Sequence, residues 1–183
     1  RRQRQMCIRD RPKVSLTKIF RQSEDSTIVT LASQVRQGQL PADFTEKKAD
    51  RSYFEANANH IPQMAPKIVS AAIKSGIAAQ DVQILAPMYR GQAGINNLNT
   101  IMQDLLNPQE KANQFAFNDI FFRKNDKILH LVNDTELNVF NGDIGIITDL
   151  IPGKYTESKQ DEIYMSFDGN EVIYPRNEWS KIT

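Results

Sequence analysis

The sequence predicts an α/β fold, a parallel sheet with flanking helices, joined to a small antiparallel β-barrel. Helix-period segments alternate with short apolar runs as far as about residue 117. This alternation is the pattern of strands covered by helices. From there on, short β-rich segments are separated by turn residues, and no fixed-period repeat links the two parts.

The elements follow in order. Ile28, Leu31, Ala32 and Val35 recur at i, i+3, i+4 and i+7, one apolar stripe of a helix over about 25–37, with Gly38 placed to end it. Tyr53, Phe54 and Glu55 form a short strand candidate. A second helix, over 62–75, turns Met64, Ile68, Ala71 and Ala72 inward and is closed by Gly76. DVQILAPMY has the apolar, β-branched character of a buried strand. After GQAG, a third helix places Ile95, Leu98, Met102 and Leu105 on one face and stops before Pro108. The β-rich segments DIFFRKNDKILHLVND, VFNGDIGIITDL, DEIYMSFD and NEVIYP are divided by Asn133-Asp134, Asn141-Gly142-Asp143, Pro152-Gly153 and Asp168-Gly169-Asn170. Asn-Gly and Asp-Gly pairs favour the positive φ values of tight hairpins. Phe121, Phe122, Phe167 and Trp179 are core candidates.

Composition narrows the class. The chain has 183 residues, 40% hydrophobic and 25% charged, which is globular rather than disordered. No run approaches the roughly 18 apolar residues of a membrane span, so a cytoplasmic protein without membrane contact is expected. Cys7 is the only cysteine, and His60 and His130 are isolated. No metal held by this chain alone is therefore expected. The formal charge of +1 is uneven: Arg1, Arg2, Arg4, Arg9 and Arg11 oppose only Asp10 in the first eleven residues, and without these the balance falls to −3. Residues 1–11 read as a non-native tail or a disordered basic arm.

The chain has no GxxxxGK[ST], GxGxxG or GxSxG motif, and no Cys or His placed for nucleophilic catalysis. What it does have is Arg21 between an apolar segment and a helix start, and the segment APMYRGQAGINNLN. The second is a strand-to-helix loop, where strand ends and helix amides meet. Tyr89 and Arg90 end the strand candidate, and Gly91 and Gly94 let the backbone approach a ligand closely. A phosphate backbone suits such a place. Tyr89 is equally suited to packing, and the glycines to turn formation.

LTKIFRQSEDSTIVTLASQVRQG, ILAPMYRGQAGINNLNTIMQDLLNP and FFRKNDKILHLVNDTELNVFNGDIGII resemble, in order, three blocks of the RecD-like DNA helicases of superfamily 1B. These are stand-alone bacterial proteins related to the exodeoxyribonuclease V alpha subunit. The resemblance implies that residues 12–117 are part of a second RecA-like motor domain and that 118–176 form an inserted Src-homology-3-like barrel, with 177–183 a return to the motor domain. The Walker segments of a first motor domain would precede residue 14 and a TxHKSQG-like block would follow Thr183, making this chain a C-terminal portion.

The resemblance also implies roles. Arg21 would be an arginine finger at the γ-phosphate of ATP, with Phe20 near the base and Gln22 supporting the site. A guanidinium suits this role because it stays charged and its fork bonds two oxygens. Tyr89, Arg90, Gly91, Gly94 and Asn96 would lie on the single-stranded DNA track. ATP and Mg2+ would be bound mainly by the first motor domain, so this chain alone is expected to lack ATPase activity. The parent would be a monomeric 5′–3′ helicase acting on single strands and single-strand/duplex junctions in DNA repair and recombination. The alternative is a non-enzymatic module whose β-rich part binds single-stranded nucleic acid.

Overall fold

The computed structural model describes residues 26–108 and 114–183. Two compact units divide the chain, Arg1–Glu55 and Ala56–Thr183.

In the first unit the predicted helix is present as α1, Thr27–Arg36. Its stripe is not covered within the described residues: Ile28 is 42% and Val35 53% exposed. The helix starts without a cap from its own Ser26 side chain. Asp50 supplies it instead. One carboxylate oxygen accepts from Ser26 Oγ at 2.9 Å, Thr27 N at 2.9 Å and Ile28 N at 3.4 Å, and the other accepts from Thr27 Oγ1. The intervening loop is folded by Arg51, which donates to the Phe44 carbonyl at 2.8 Å, and by a Lys48–Asp43 ion pair at 2.9 Å.

The second unit begins with α2, Ile61–Lys74, which has Pro62 in its first turn. This helix packs against α3, Ile95–Leu106. Between them, residues 82–88 carry no strand, and neither do residues 53–55. Every strand pairing among the described residues is antiparallel. The parallel sheet expected over 12–117 is thus not formed by the described residues. The reason is physical: a strand exists only through hydrogen bonds to a neighbour, and among the described residues none pairs with residues 82–88 as a strand. Leu85, which a buried strand would cover, is 88% exposed.

The barrel is where the sequence reading is most fully realised. A hairpin pairs β1, Gln114–Phe117, with β2, Ile120–Arg123. A four-stranded sheet then follows in the order β3 (Lys127–Leu129), β4 (Ile144–Ile151), β5 (Glu162–Phe167) and β6 (Asn170–Pro175). Strand alternation sorts the side chains: Ile163, Met165 and Phe167 of β5 and Val172 and Tyr174 of β6 point inward and are buried. Asp168 (φ 50°) and Gly169 (φ 86°) form the two-residue turn between these strands, with both residues left-handed. A register shift between Ile147 and Asp149 interrupts the ladder of β4 with β5, which is how a small sheet bends toward closure.

After β6 the chain makes a 3-10 turn, Arg176–Lys181, and then lies along the free edge of β3. Thr183 and Leu129 exchange backbone hydrogen bonds of 3.0 and 2.8 Å, and Leu131 N donates to the Lys181 carbonyl at 2.8 Å. The same core runs across the expected boundaries at 118 and 176. Trp179 is fully buried, stacks on Phe115 with ring centroids 5.5 Å apart, and meets Phe117 and Phe122 edge-on. Phe122, Phe167 and Trp179 are in the core as expected, whereas Phe121 faces outward at 42% exposure because it alternates with Phe122 along β2.

Inside the core, His130 Nδ1 lies 2.7 Å from the Val132 carbonyl and Nε2 lies 2.7 Å from the Tyr174 hydroxyl. A carbonyl can only accept, so in the neutral ring Nδ1 carries the proton and Nε2 accepts from Tyr174. This histidine is a satisfied structural residue.

Candidate nucleic-acid interface

Residues 86–94 form a loop that is folded back onto the first turn of α3. Ile95 N donates to the Met88 carbonyl at 2.9 Å, Asn96 N to the Tyr89 carbonyl at 3.1 Å, and Gly94 N to the Gly91 carbonyl at 3.1 Å. Asn97 Nδ2 adds a bond to the Gln92 carbonyl at 2.6 Å. The fold-back has a geometric condition at Gly94. A Cβ there would stand 2.5 Å from the Arg90 carbonyl oxygen and 2.7 Å from that of Tyr89.

The sequence reading aims the α3 amides at an anion, and the structure corrects this in part. The Ile95 and Asn96 amides are satisfied by the loop's own carbonyls, so these two are spoken for. What the loop presents outward is side chains. Tyr89 is 73% exposed and Arg90 is exposed beside it. The Arg90 guanidinium makes no hydrogen bond or ion pair among the described residues. From Ala86 to Gln103 it is also the only charged residue. An unpaired cation next to an exposed ring, with no acid nearby in sequence, suits a phosphate and a base. Gly91, at φ 94°, is in the left-handed region that turns the chain back toward α3.

The structure therefore brings Tyr89, Arg90, Gly91, Gly94 and Asn96 together. Gly94 is buried and Asn96 exposed on the first helical turn. Phe20, Arg21 and Gln22 lie outside the described residues. Among the described residues no three His, Cys, Asp or Glu side chains are grouped to hold a metal ion, and no helix is long and apolar enough to cross a membrane.

The far end of α3 is held by a polar cluster that the sequence does not reveal. Asp126, largely buried, accepts from Gln103 Nε2 at 2.6 Å, Asn107 Nδ2 at 2.7 Å and Arg123 N at 2.7 Å. Burial pushes its carboxyl up, against the pull of these donors and of the Arg123 charge. Arg123, also buried, reaches Asp104 at 2.8 Å, the Asn107 carbonyl at 3.2 Å and Gln114 Oε1 at 3.0 Å. The partners are up to 23 residues apart, too far for any local pattern to signal them.

Comparison with known proteins adds the lineage. Residues 98–167 match a family described as the SH3 domain of ATP-dependent RecD-like DNA helicases. That stretch takes in most of α3 together with β1–β5. The ATP-dependent RecD2 DNA helicase of Deinococcus radiodurans is 27% identical over 161 residues, which is 88% of this chain and 20% of that protein. The chain thus spans about a fifth of the length of the curated relative it matches. The antiparallel barrel, the match to the SH3 family over residues 98–167 and the relative that covers the residues on both sides of it agree, and what this chain is similar to is a stretch of the RecD-like DNA helicases.

Proposed function

We propose that this chain is part of the second RecA-like motor domain of an ATP-dependent 5′–3′ DNA helicase, together with its inserted Src-homology-3-like barrel. The carrying observation is the exposed, unpaired Arg90 beside exposed Tyr89 on a loop stapled to α3. In this reading Arg90 holds a phosphate of the single strand and Tyr89 stacks on a base. Residues 82–88, which carry no strand among the described residues, would join a parallel sheet with neighbours supplied elsewhere in the protein, and this accounts for the exposure of Leu85. The uncovered stripe of α1 is accounted for in the same way.

Arg21 acts as an arginine finger. Its guanidinium neutralises charge on the transferring phosphoryl group across the interdomain cleft, with Phe20 near the base and Gln22 supporting the site. ATP and Mg2+ are held mainly by the first motor domain, which matches the lack of a phosphate-binding loop in this chain. The parent works as a monomer in the cytoplasm, on single strands and single-strand/duplex junctions, in repair and recombination.

The test uses the full-length helicase. Arg21→Ala is expected to leave ATP binding near normal and to lower single-strand-stimulated hydrolysis by roughly 10³-fold; unchanged turnover would sink the finger. Arg90→Ala is expected to weaken single-strand binding uniformly across sequences and to make its salt dependence shallower by about one phosphate. The 183-residue chain alone is expected to hydrolyse no ATP. A second reading, a non-enzymatic single-strand-binding module, is favoured by the self-contained barrel core of residues 115–182. It predicts that Arg21→Ala leaves every measured activity of the parent intact.

A further inference from the structure

The barrel corner at residues 123–127 bonds to the segments that lead into and out of the Arg90 loop and α3. On the outgoing side, Asp126 and Arg123 grip the last turn of α3 through Gln103, Asp104 and Asn107. On the incoming side, Lys127 Nζ donates to the carbonyls of Gln80 and Val82 at 2.9 and 2.8 Å, where the extended segment toward Tyr89 begins. Partial burial lowers the Lys127 ammonium below the usual lysine range, with the Asp81 charge pulling the other way.

The helix between the two ends can transmit position. It has 12 residues with no Gly or Pro inside, so it is about 18 Å long and lacks the usual causes of kinking. At its start the loop is bonded to the Ile95 and Asn96 amides.

We infer that Asp126 and Lys127 are positioning residues for the strand-binding loop, so that the barrel and the Arg90 loop respond as one body. This rests on the reading of that loop as a DNA contact. Its consequence is a mechanical one. A strand pulled at Arg90 loads the barrel, and a barrel displaced by duplex or a partner moves Arg90. The geometry is compact: two adjacent residues, Asp126 and Lys127 at the start of β3, bond to the elements on both flanks of a loop some forty residues earlier in the chain.

The test is hydrogen exchange read by mass spectrometry on the full-length helicase, comparing the parent with Asp126→Asn and Lys127→Met, alongside binding of a labelled oligothymidylate. The Ile95 and Asn96 amides are expected to exchange about tenfold faster in both variants, while amides of the β5–β6 ladder keep parental protection. Oligothymidylate affinity is expected to fall about threefold or more with the parental salt slope retained, because no phosphate contact is removed. Parental protection of Ile95 and Asn96 in both variants overturns the inference. If Asp126→Asn also loosens the β5–β6 ladder, Lys127→Met decides alone. Arg90→Ala in the same binding assay reports separately: parental affinity there overturns the DNA reading, whereas a loss there with unchanged exchange in the joint variants overturns only the coupling.

Discussion

Gly91 and Gly94 lie three residues apart and are needed for different physical reasons. At Gly91 the space around a Cβ is open, but φ is 94°. A side chain there costs backbone strain of about 1–2 kcal/mol. At Gly94 the backbone is extended, with φ −82° and ψ 158°, and strain plays no part. The obstacle is the Arg90 carbonyl oxygen 2.5 Å from a Cβ. A backbone atom cannot swing aside as a side chain can, so Gly94→Ala either costs about 1–3 kcal/mol as overpacking or pushes the loop off α3. Urea unfolding with oligothymidylate binding separates the two glycines. Gly94→Ala should lose single-strand affinity about as far as Arg90→Ala does, and Gly91→Ala should lose stability with a smaller loss of binding. Equal binding by the parent and Gly94→Ala would contradict the stapled-loop geometry.

At the scale of elements, the helices were legible because the 3.6-residue period is a local property. The stripes of Ile28–Val35 and Ile95–Leu105 place α1 and α3 within about two residues of their observed limits. What starts α1 was not legible, because its cap comes from Asp50, more than twenty residues on. The hydroxyls of Thr27 and Ser26 and the amides of Ile28 and Thr27 hold the Asp50 carboxyl down to about 2. A carboxyl lower in the folded than in the unfolded state stabilises the fold above the ordinary value of 3.8, and that contribution is lost as the pH falls toward about 2. In an acid titration followed by NMR, the Thr27 and Ile28 amide shifts should move with a midpoint near 2, and Asp50→Ala should abolish the transition. A midpoint at the ordinary carboxylate value would rule out the cap.

The strands divide on the same principle. Turn chemistry at Asp168-Gly169 locates the β5–β6 hairpin because the two strands are neighbours in sequence. The apolar run at 82–88 carries equal strand character, yet no strand forms there. Strand propensity describes a residue's fit to a pleated surface and does not supply that surface.

For the whole molecule, Trp179 decides where the barrel ends. Its indole Nε1 donates to the Tyr174 carbonyl at 2.9 Å, and its rings bind the β1–β2 hairpin through Phe115, Phe117 and Phe122. Trp179→Ala removes the hub shared by hairpin, sheet and closing segment, so a loss of about 3–5 kcal/mol is expected in urea denaturation. Trp179→Phe keeps a ring against Phe115 and should lose less. A loss near zero for Trp179→Ala would mean that residues 176–183 are dispensable to the core.

The sequence by itself determined the helices, the hairpin turns, the core places of Phe122, Phe167 and Trp179 and the resemblance of three ordered blocks to one helicase family. Each of these is written in short-range patterns of polarity, glycine and asparagine. Only the tertiary structure decided that the α3 amides are taken up by the loop, that Arg123, Asp126 and Lys127 join that loop to the barrel, and that residues 181–183 close the sheet beside β3. The physical reason is distance along the chain: a buried charge finds its donors, and an edge strand its neighbour, among residues that no local period links.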